Sequence, residues 1–556
     1  MNFRSSNRFA EREPLPTDTG TTDKPELIFA LVGAIGTRLH DLSRALREEL
    51  QSFGYDSVDI RLSGLLANFT EGTEQLGTSE FDRIRHLQDL GDAFRTRLED
   101  GAALARAGIA EIRVKRTAIT GSPDGPASAH AYIIHQLKHP DEVELLRQVY
   151  GSSFLLVAGH APRRTRVAEL TRKIREDQSP QQARFLEAKA VELIEFDEKQ
   201  ESEYGQNTRD TYPKADFFAN LGPSRGETEV RRFVDLVFGH PFYTPKPDEY
   251  AMYQASAAAL RSSDDNRQVG AVIVSITRNL RDVIKNADVI AAGMNEVPRG
   301  GGGFYWDQDS PDHRDQALLL QGEDRAAEIK ISALAELIDR IRRKGWLQGN
   351  ISEKSASDLA RSLLGEIKGT QFMDIGEFSR PVHAEMAALI DGARRGVAVN
   401  GHTMYVTTFP CHNCAKHIIA AGIRRVVYLE PYSKSRATNL HGEEIDLESI
   451  DGKEEDGKVV FCDFSGIAPR QYRQLFSMSE RGAKRGRSLT KWYADRHSLS
   501  PKYVTRNASH AYCVAERQEL ERLPSEIYRW DKEAICPSGP SNTSMDWLRP
   551  SGSPEE

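Results

Sequence analysis

The segment PVHAEMAALIDGARRG, Pro381–Gly396, is followed closely by TMYVTTFPCHNCAKHIIAAGI, Thr403–Ile423. The first reads as a helix with Pro381 just ahead of it. The second reads as a strand, TMYVTTF, running into a helix opened by Pro410. Proline is favoured in a first helical turn, where its missing N–H would have no partner anyway. Helix, strand and helix in so short a span argue for an α/β arrangement. His383 and Glu385 then fall at the start of one helix, and Cys411 and Cys414 at the start of the other. The positive end of a helix macrodipole favours thiolate over thiol at those positions.

Two thiolates and a neutral imidazole balance a Zn²⁺ ion, and three protein ligands leave a fourth position for water. Zinc bound in that way lowers the pKa of water toward neutrality. Glu385 lies two residues after His383, within reach of that water, and can carry its proton to a substrate nitrogen. The pattern H-x-E followed by P-C-x-x-C is the signature of zinc-dependent base deaminases. A lone CxxC is also used for structural zinc and for redox pairs. A redox pair would need no HAE partner, whereas a structural site could draw a fourth ligand from His412 or His417.

Outward from this centre the chain is long and soluble in character. Its 556 residues exceed one ordinary core, 39% are apolar, 28% are charged, and the formal net charge is -8. That balance argues against a chain built mainly to coat nucleic acid. Of five cysteines, only Cys411 and Cys414 share a recognisable spacing, so a disulfide framework is not expected. The polar N-terminus has no apolar signal region, and no apolar run approaches the roughly 18 residues needed to span a bilayer. A reducing cytoplasm is the expected location.

Regular structure is expected to begin at Glu26–Gly33 as a buried strand. A helix follows over Leu39–Phe53, then strands near Val58–Leu62 and Ala131–Leu137, a helix over Asp141–Tyr150 and a strand at Phe154–Ala158. This alternation predicts a parallel sheet. Glu198–Asp210 and Leu221–Glu229 read as the join between domains. After Tyr250 a second α/β pattern begins. The stretch 298–380 reads as an insertion, with a charged helix near Arg325–Lys344 packed by Ile329, Leu334 and Ile338. The only strong basic cluster is RGAKRGRSLTK, 481–491.

Around the metal motifs the chain resembles the cytidine and deoxycytidylate deaminase family. The resemblance runs from about Tyr250 to Phe476, through SSDDNRQVGAVIV, GMNEVPRG, VVYLEPYSKSRATNLH and DFSGIAPRQYRQLF. It implies a three-layer α/β/α sandwich. It also implies that Asn295 holds the sugar, that Tyr432 lies near the base and that Arg267 contacts phosphate. The 298–380 insertion departs from the short members of that family.

In the N-terminal half, LVGAIGTRLHDLS has the order of a phosphate-binding loop but fails the pattern G-x-x-x-x-G-K-[ST]. Gly33, Gly36, Thr37 and Arg38 are its candidate nucleotide-binding residues. IIHQLKHPDEVELLRQVYG and SFLLVAGHAPRRTR look like the later strands of nucleoside-monophosphate kinases, with Arg163, Arg164 and Arg166 facing phosphate. A degenerate P-loop kinase-like domain joined to a deaminase resembles the bacterial anti-phage dCTP deaminases. YPKADFFANLG, RRFVDLVFGHPFYTPKPDEYAMYQA and NEVPRGGGGFYW carry that likeness.

Expected overall, then, is an α/β chain. A disordered lead-in (1–24) precedes a P-loop kinase-like parallel-sheet domain (25–220), a linker (221–250), a deaminase sandwich (251–480) and a polar tail (481–556). The resemblance implies a Zn²⁺ enzyme that deaminates dCTP and dCMP to dUTP and dUMP, draining deoxycytidine nucleotides from an infecting phage. It implies restraint by a regulatory nucleotide or a small inhibitory RNA, and assembly into homo-oligomers. Competing readings are a dCMP deaminase of pyrimidine metabolism, a single-stranded nucleic-acid deaminase and a zinc-stabilised scaffold without turnover.

Overall fold

The computed structural model describes residues 24–522 apart from 69–78, 177–184, 199–203, 222–225, 265–266, 276–287, 323, 348–353, 368–369, 371, 373–377, 433–434, 448–456, 479–488 and 505–510. The lead-in up to residue 23, most of the basic cluster and the end of the tail lie outside the described residues.

Five parallel strands build the first sheet: β1 (Leu27–Val32), β2 (Asp56–Arg61), β3 (His130–His135), β4 (Phe154–His160) and β5 (Phe217–Asn220), in spatial order β2-β3-β1-β4-β5. Central β1 is buried at all six positions because helices cover both faces. Alternate residues serve opposite sides. Leu27, Phe29 and Leu31 meet Leu42, Leu46 and Phe233, whereas Ile28, Ala30 and Val32 share a core with Ile109, Ile112 and Leu146.

The second sheet is mixed. It comprises β6 (Gly270–Val274), β7 (Val289–Met294), β8 (Thr403–Thr408), β9 (Arg425–Glu430), β10 (Ile445–Asp446) and β11 (Val459–Asp463), in order β10-β11-β9-β8-β6-β7. Only β6 runs against its neighbours β7 and β8. Helices Ala384–Arg395 and His412–Ala420 cover one face, through Ala384, Ala388, Cys414 and Ile418. Helix Pro247–Ala259 covers the other, through Ala251, Met252 and Ala255. The layers are therefore α/β/α.

The two sheets share one core rather than meeting at a hinge. The cluster that holds Ile134 and Leu156 continues through Met252 to Val272 and Val427. Just after β11 the chain crosses over, and β12 (Gly466–Ile467) pairs antiparallel with β5 at the edge of the first sheet.

Three expectations differ from the structure. Residues 221–250, expected as a linker, carry helix Gly226–Val237, whose Val230, Phe233 and Val234 are fully buried under the first sheet. The 481–556 tail is not simply polar. Trp492 is buried against Phe53, and helix Ala511–Glu521 packs on helix Ala103–Thr120. Within the insertion, helix Arg325–Arg343 buries Ile331, Leu334 and Ile338 against helix Ala356–Leu363, while Ile329 faces outward. No helix among the described residues is long and apolar enough to cross a membrane.

Candidate metal centre and its pocket

The helix expected at 381–396 begins at Ala384, with His383 as its N-cap, and ends where Gly396 takes a left-handed φ of 69°. Cys411 is the N-cap of helix His412–Ala420, and Cys414 lies in its first turn. β8 delivers that second helix beside the first. Close packing fixes the distance between them. A Cβ on Gly293 of β7 would sit 2.3 Å from the Ala388 nitrogen and 2.4 Å from the Ala384 oxygen, so only glycine allows the strand so near the helix.

His383 Nδ1 lies 3.3 Å from Cys411 Sγ and 3.4 Å from Cys414 Sγ. The three donor atoms lie within 4.8 Å of one another, the only such group found among the described residues. They compete for protons. The hydrogen bond with Cys411 raises the His383 imidazole to about 9. The Cys414 thiol and then His383 draw Cys411 down to about 4, while the same thiol bond and burial push Cys414 up. A divalent cation replaces shared protons of this kind, and two thiols with one imidazole are a zinc donor set. The three residues fit a zinc ion.

Glu385 is 4% exposed, and burial pushes its carboxyl up to about 7. It opens onto a cavity of about 550 Å³ that His383 and Cys411 also line. Asn295, Tyr432 and Arg267, expected from the sequence, line the same cavity. Asn295 follows β7, and its amide is engaged at both ends. Oδ1 accepts from the Val269 N–H at 2.7 Å, and Nδ2 donates to the Arg267 carbonyl at 2.9 Å and to Asp264 Oδ2 at 3.1 Å. Arg267 is exposed at the rim, 3.4 Å from Glu430.

Other lining residues escaped the sequence reading. Ser263, Asp264 and Glu296 flank expected positions and were within reach of it. Arg325 and Lys330 belong to the insertion and reach the cavity only because that segment folds back over it. No local pattern announces them.

The N-terminal candidates gather elsewhere. Gly36 has φ +83°, and a Cβ there would meet the Arg166 carbonyl oxygen at 2.7 Å. The loop amide of Ile35 donates to Asp197 Oδ2 at 2.9 Å, and Lys138 Nζ holds the other oxygen at 2.8 Å. A buried carboxylate thus stands against an amide of the Gly33–Arg38 loop. Thr37 lies in the loop, and Arg38 turns outward to within 3.5 Å of Asp41. Arg163 faces Glu195 at 3.8 Å, and Arg164 is on the same exposed helix start.

Residues 245–430 match the family model for the cytidine and deoxycytidylate deaminase zinc-binding region. The deoxycytidylate deaminase of Enterobacteria phage T2 is 47% identical over 55 residues, 10% of this chain and 29% of that protein. The human deoxycytidylate deaminase is 45% identical over 47 residues, 8% of this chain and 25% of its own length. The chain thus spans under a third of these relatives. The deoxycytidylate deaminase of Mycobacterium phage D29 is 34% identical over 100 residues, 18% of this chain and 77% of the phage protein. Among solved structures, the dCMP deaminase of cyanophage S-TIM5 in complex with dCMP and dUMP is 17% identical, covers 40% of this chain and 99% of that one, and has a TM-score of 0.21. By the family model, and by the D29 relative most of whose length it spans, the chain belongs to the cytidine and deoxycytidylate deaminase zinc-binding family.

Proposed function

We propose that this chain hydrolyses the 4-amino group of a free deoxycytidine nucleotide, converting dCMP or dCTP to the deoxyuridine form with release of ammonia. The observation that carries the reading is a buried carboxyl, Glu385, beside a His383–Cys411–Cys414 donor set that opens onto a nucleotide-sized cavity. Zinc held by those three residues supplies the Lewis acidity that makes water nucleophilic near pH 7. Glu385 takes a proton from the attacking water and passes it to N3 of the cytosine ring as C4 becomes tetrahedral. It then moves a proton to the departing amine, so that water is consumed and ammonia leaves. Burial keeps both protonation states of that carboxyl within reach at neutral pH. Asn295 and Tyr432 line the same cavity.

The likeness to anti-phage dCTP deaminases makes dCTP the preferred nucleotide and defence by nucleotide depletion the role, in the cytoplasm. The N-terminal unit is the place for control. Its parallel sheet with a central first strand, its glycine loop and its shared core with the deaminase layer support that assignment. A regulatory nucleotide, a small RNA and self-association are the partners this reading brings with it.

Glu385→Gln is the first test. It should keep the full zinc content and lose about 10²–10⁴-fold in turnover, measured as ammonia release. Undiminished turnover, or biological activity that survives the substitution, would sink the deaminase reading. A time course with dCTP, dCMP and a cytosine-bearing oligonucleotide separates the remaining readings. Turnover of dCMP alone would favour a role in pyrimidine metabolism, and the named dCMP deaminases among its relatives are what keep that reading in view.

A further inference from the structure

We propose that His160 of the first sheet, acting through Asp463 and Tyr428, positions Phe409 in the wall of the deaminase cavity and so gives the N-terminal unit a hold on nucleotide binding. The inference rests on the deaminase reading above and names the route by which control reaches that site.

Phe409 stands between β8 and the Pro410–Cys411 step, and it lines the cavity together with His383, Glu385 and Cys411. Its main chain is fixed, because its N–H donates to the Glu430 carbonyl at 2.7 Å. The freedom that remains is in the ring, and the ring rests on two others. Tyr428 meets it edge to face, with centroids 4.9 Å apart and planes at 82°, and Phe461 lies tilted at 5.5 Å. Edge-to-face pairs hold a ring at a set angle as well as burying it. A shift of the Tyr428 ring is therefore passed to Phe409.

Tyr428 is itself held from its far end. Its hydroxyl donates to Asp463 Oδ2 at 2.9 Å, and His160 Nε2 lies 3.1 Å from the same oxygen. A carboxylate oxygen accepts, so the tyrosine and the histidine both donate to one atom. Two donors divide the charge of that oxygen between them, so the loss of one changes the bond to the other. The hydroxyl is rigidly attached to its ring, and an adjustment at the oxygen moves the ring.

His160 brings the first sheet into this contact. It ends β4, and its carbonyl accepts from the Leu221 N–H at 2.9 Å. Gly159, just before it, packs directly against the glycine loop. A Cβ on Gly33 would lie 2.9 Å from the Gly159 oxygen, and a Cβ on Gly159 would lie 2.7 Å from Leu39 Cδ2 at the start of helix Leu39–Ser52. A rearrangement of that loop is felt at Gly159 and His160. Contacts at bonding or packing distance thus run from the loop to the cavity. Packing alone does not make a coupling, and the oxygen of Asp463 is the element on which both ends pull.

The test is a double-mutant cycle on the zinc-loaded full chain. Initial rates of ammonia release from dCMP and dCTP are compared for wild type, His160→Ala, Tyr428→Phe and the pair. Tyr428→Phe keeps the ring and drops only the hydroxyl. A displaced wall weakens ground-state and transition-state binding together, which appears in KM. Each single change should raise KM by about threefold to tenfold while kcat moves little. The pair should be no worse than the worse of the two singles, because both changes act on the same oxygen. His160→Gln, whose amide donates to that oxygen, should restore most of the loss. Tyr405→Phe is the control. It removes a hydroxyl that donates to Asp248 on the opposite face of the second sheet, and it should lower the melting temperature, leave KM as it is and combine additively with His160→Ala. A pair that shows the full product of two KM effects, or singles with KM at the wild-type value, overturns the relay and leaves the deaminase standing. A loss of kcat shared equally with Tyr405→Phe marks ordinary destabilisation and overturns it as well. If wild type releases ammonia from neither nucleotide, the deaminase reading and the relay fall together. Zinc content and melting temperature of each variant establish that folded protein is compared. Should His160→Ala not fold, His160→Phe, which keeps a ring and lacks the N–H, takes its place in the cycle.

Discussion

Asn295 ties Asp264, Arg267 and Val269 together before it can hold anything else. Its carbonyl oxygen receives the Val269 N–H, and its amide nitrogen bridges Asp264 and the Arg267 carbonyl. Replacing it by aspartate keeps the acceptor, removes both donors and sets a second carboxylate against Asp264. A lost hydrogen bond at a buried polar site costs about 1–3 kcal/mol. Asn295→Asp should therefore lower kcat/KM by about 10- to 100-fold, chiefly through KM, with zinc content unchanged; steady-state rates and metal analysis check it. If KM stayed at the wild-type value, the placement of Asp264, Arg267 and Val269 would not be what Asn295 supports. The resemblance implied a sugar contact for Asn295; the residue lines the cavity, and its bonds to the neighbouring chain were not part of that expectation. They connect residues 26 to 31 positions apart, and no local spacing encodes them. The metal set was legible because its pairs, His383 with Glu385 and Cys411 with Cys414, each fall within one helical turn.

Helix placement decides whether those residues meet, and two glycines show how narrowly. On β7, Gly293→Ala would drive a methyl into the backbone of helix Ala384–Arg395, which cannot yield as a side chain would. The helix must move away from the strand and carry His383 and Glu385 from Cys411 and Cys414. Misplacement by about 1 Å can cost on the order of 100-fold in rate, so this variant should lose zinc and at least that much activity. Gly270→Ala is the matched control. Its methyl would sit 2.0 Å from the Ala255 oxygen, against a helix on the opposite face that bears no ligand. It should lower the melting temperature yet keep zinc in whatever protein remains folded. Equal zinc loss in both variants would contradict the helix-shift account. A similar logic applies to helix Ala511–Glu521. Its Glu516 accepts from Arg113, Arg116 and Tyr150, and Arg116 also grips Glu26, all with essentially no exposure. Glu516→Ala breaks the buried pairs to both guanidinium groups, leaving Arg116 to Glu26 and Arg113 to Asp124, and should cost about 3–5 kcal/mol in chemical denaturation. Composition suggested only a polar tail there, because Glu516 and Glu519 interrupt the apolar residues Tyr512, Cys513 and Leu520 on the buried face of the helix.

At the scale of the whole molecule, the join between the two sheets was the least legible part of the chain. Proline, glycine and charge near 221–250 suggested a linker, but the apolar face of helix Gly226–Val237 completes the core of the first sheet. β12 is only two residues long, so its return to β5 is a matter of tertiary pairing rather than of strand pattern. The same region holds a polar contact between the two sheets. His160, at the end of β4, meets Asp463 of β11 at 3.1 Å, and the Tyr428 hydroxyl of β9 donates to the same carboxylate at 2.9 Å. Burial lowers the His160 imidazole below its ordinary value, and Arg166 adds to that, while Asp463 opposes it. Because the folded value lies below the unfolded one, the unfolded chain binds the proton first as pH falls. The contribution of His160 to stability is therefore full above the unfolded value, about 6.5, and is lost as pH drops through the folded value. His160→Gln removes that titration and leaves a polar group at the junction. The melting temperature of wild type should exceed that of the variant most at pH 8, and the gap should shrink steadily as pH is lowered below about 6.5. A gap that widened instead would mean that Asp463 holds His160 as imidazolium, and that an ion pair, rather than a neutral hydrogen bond, joins the two sheets.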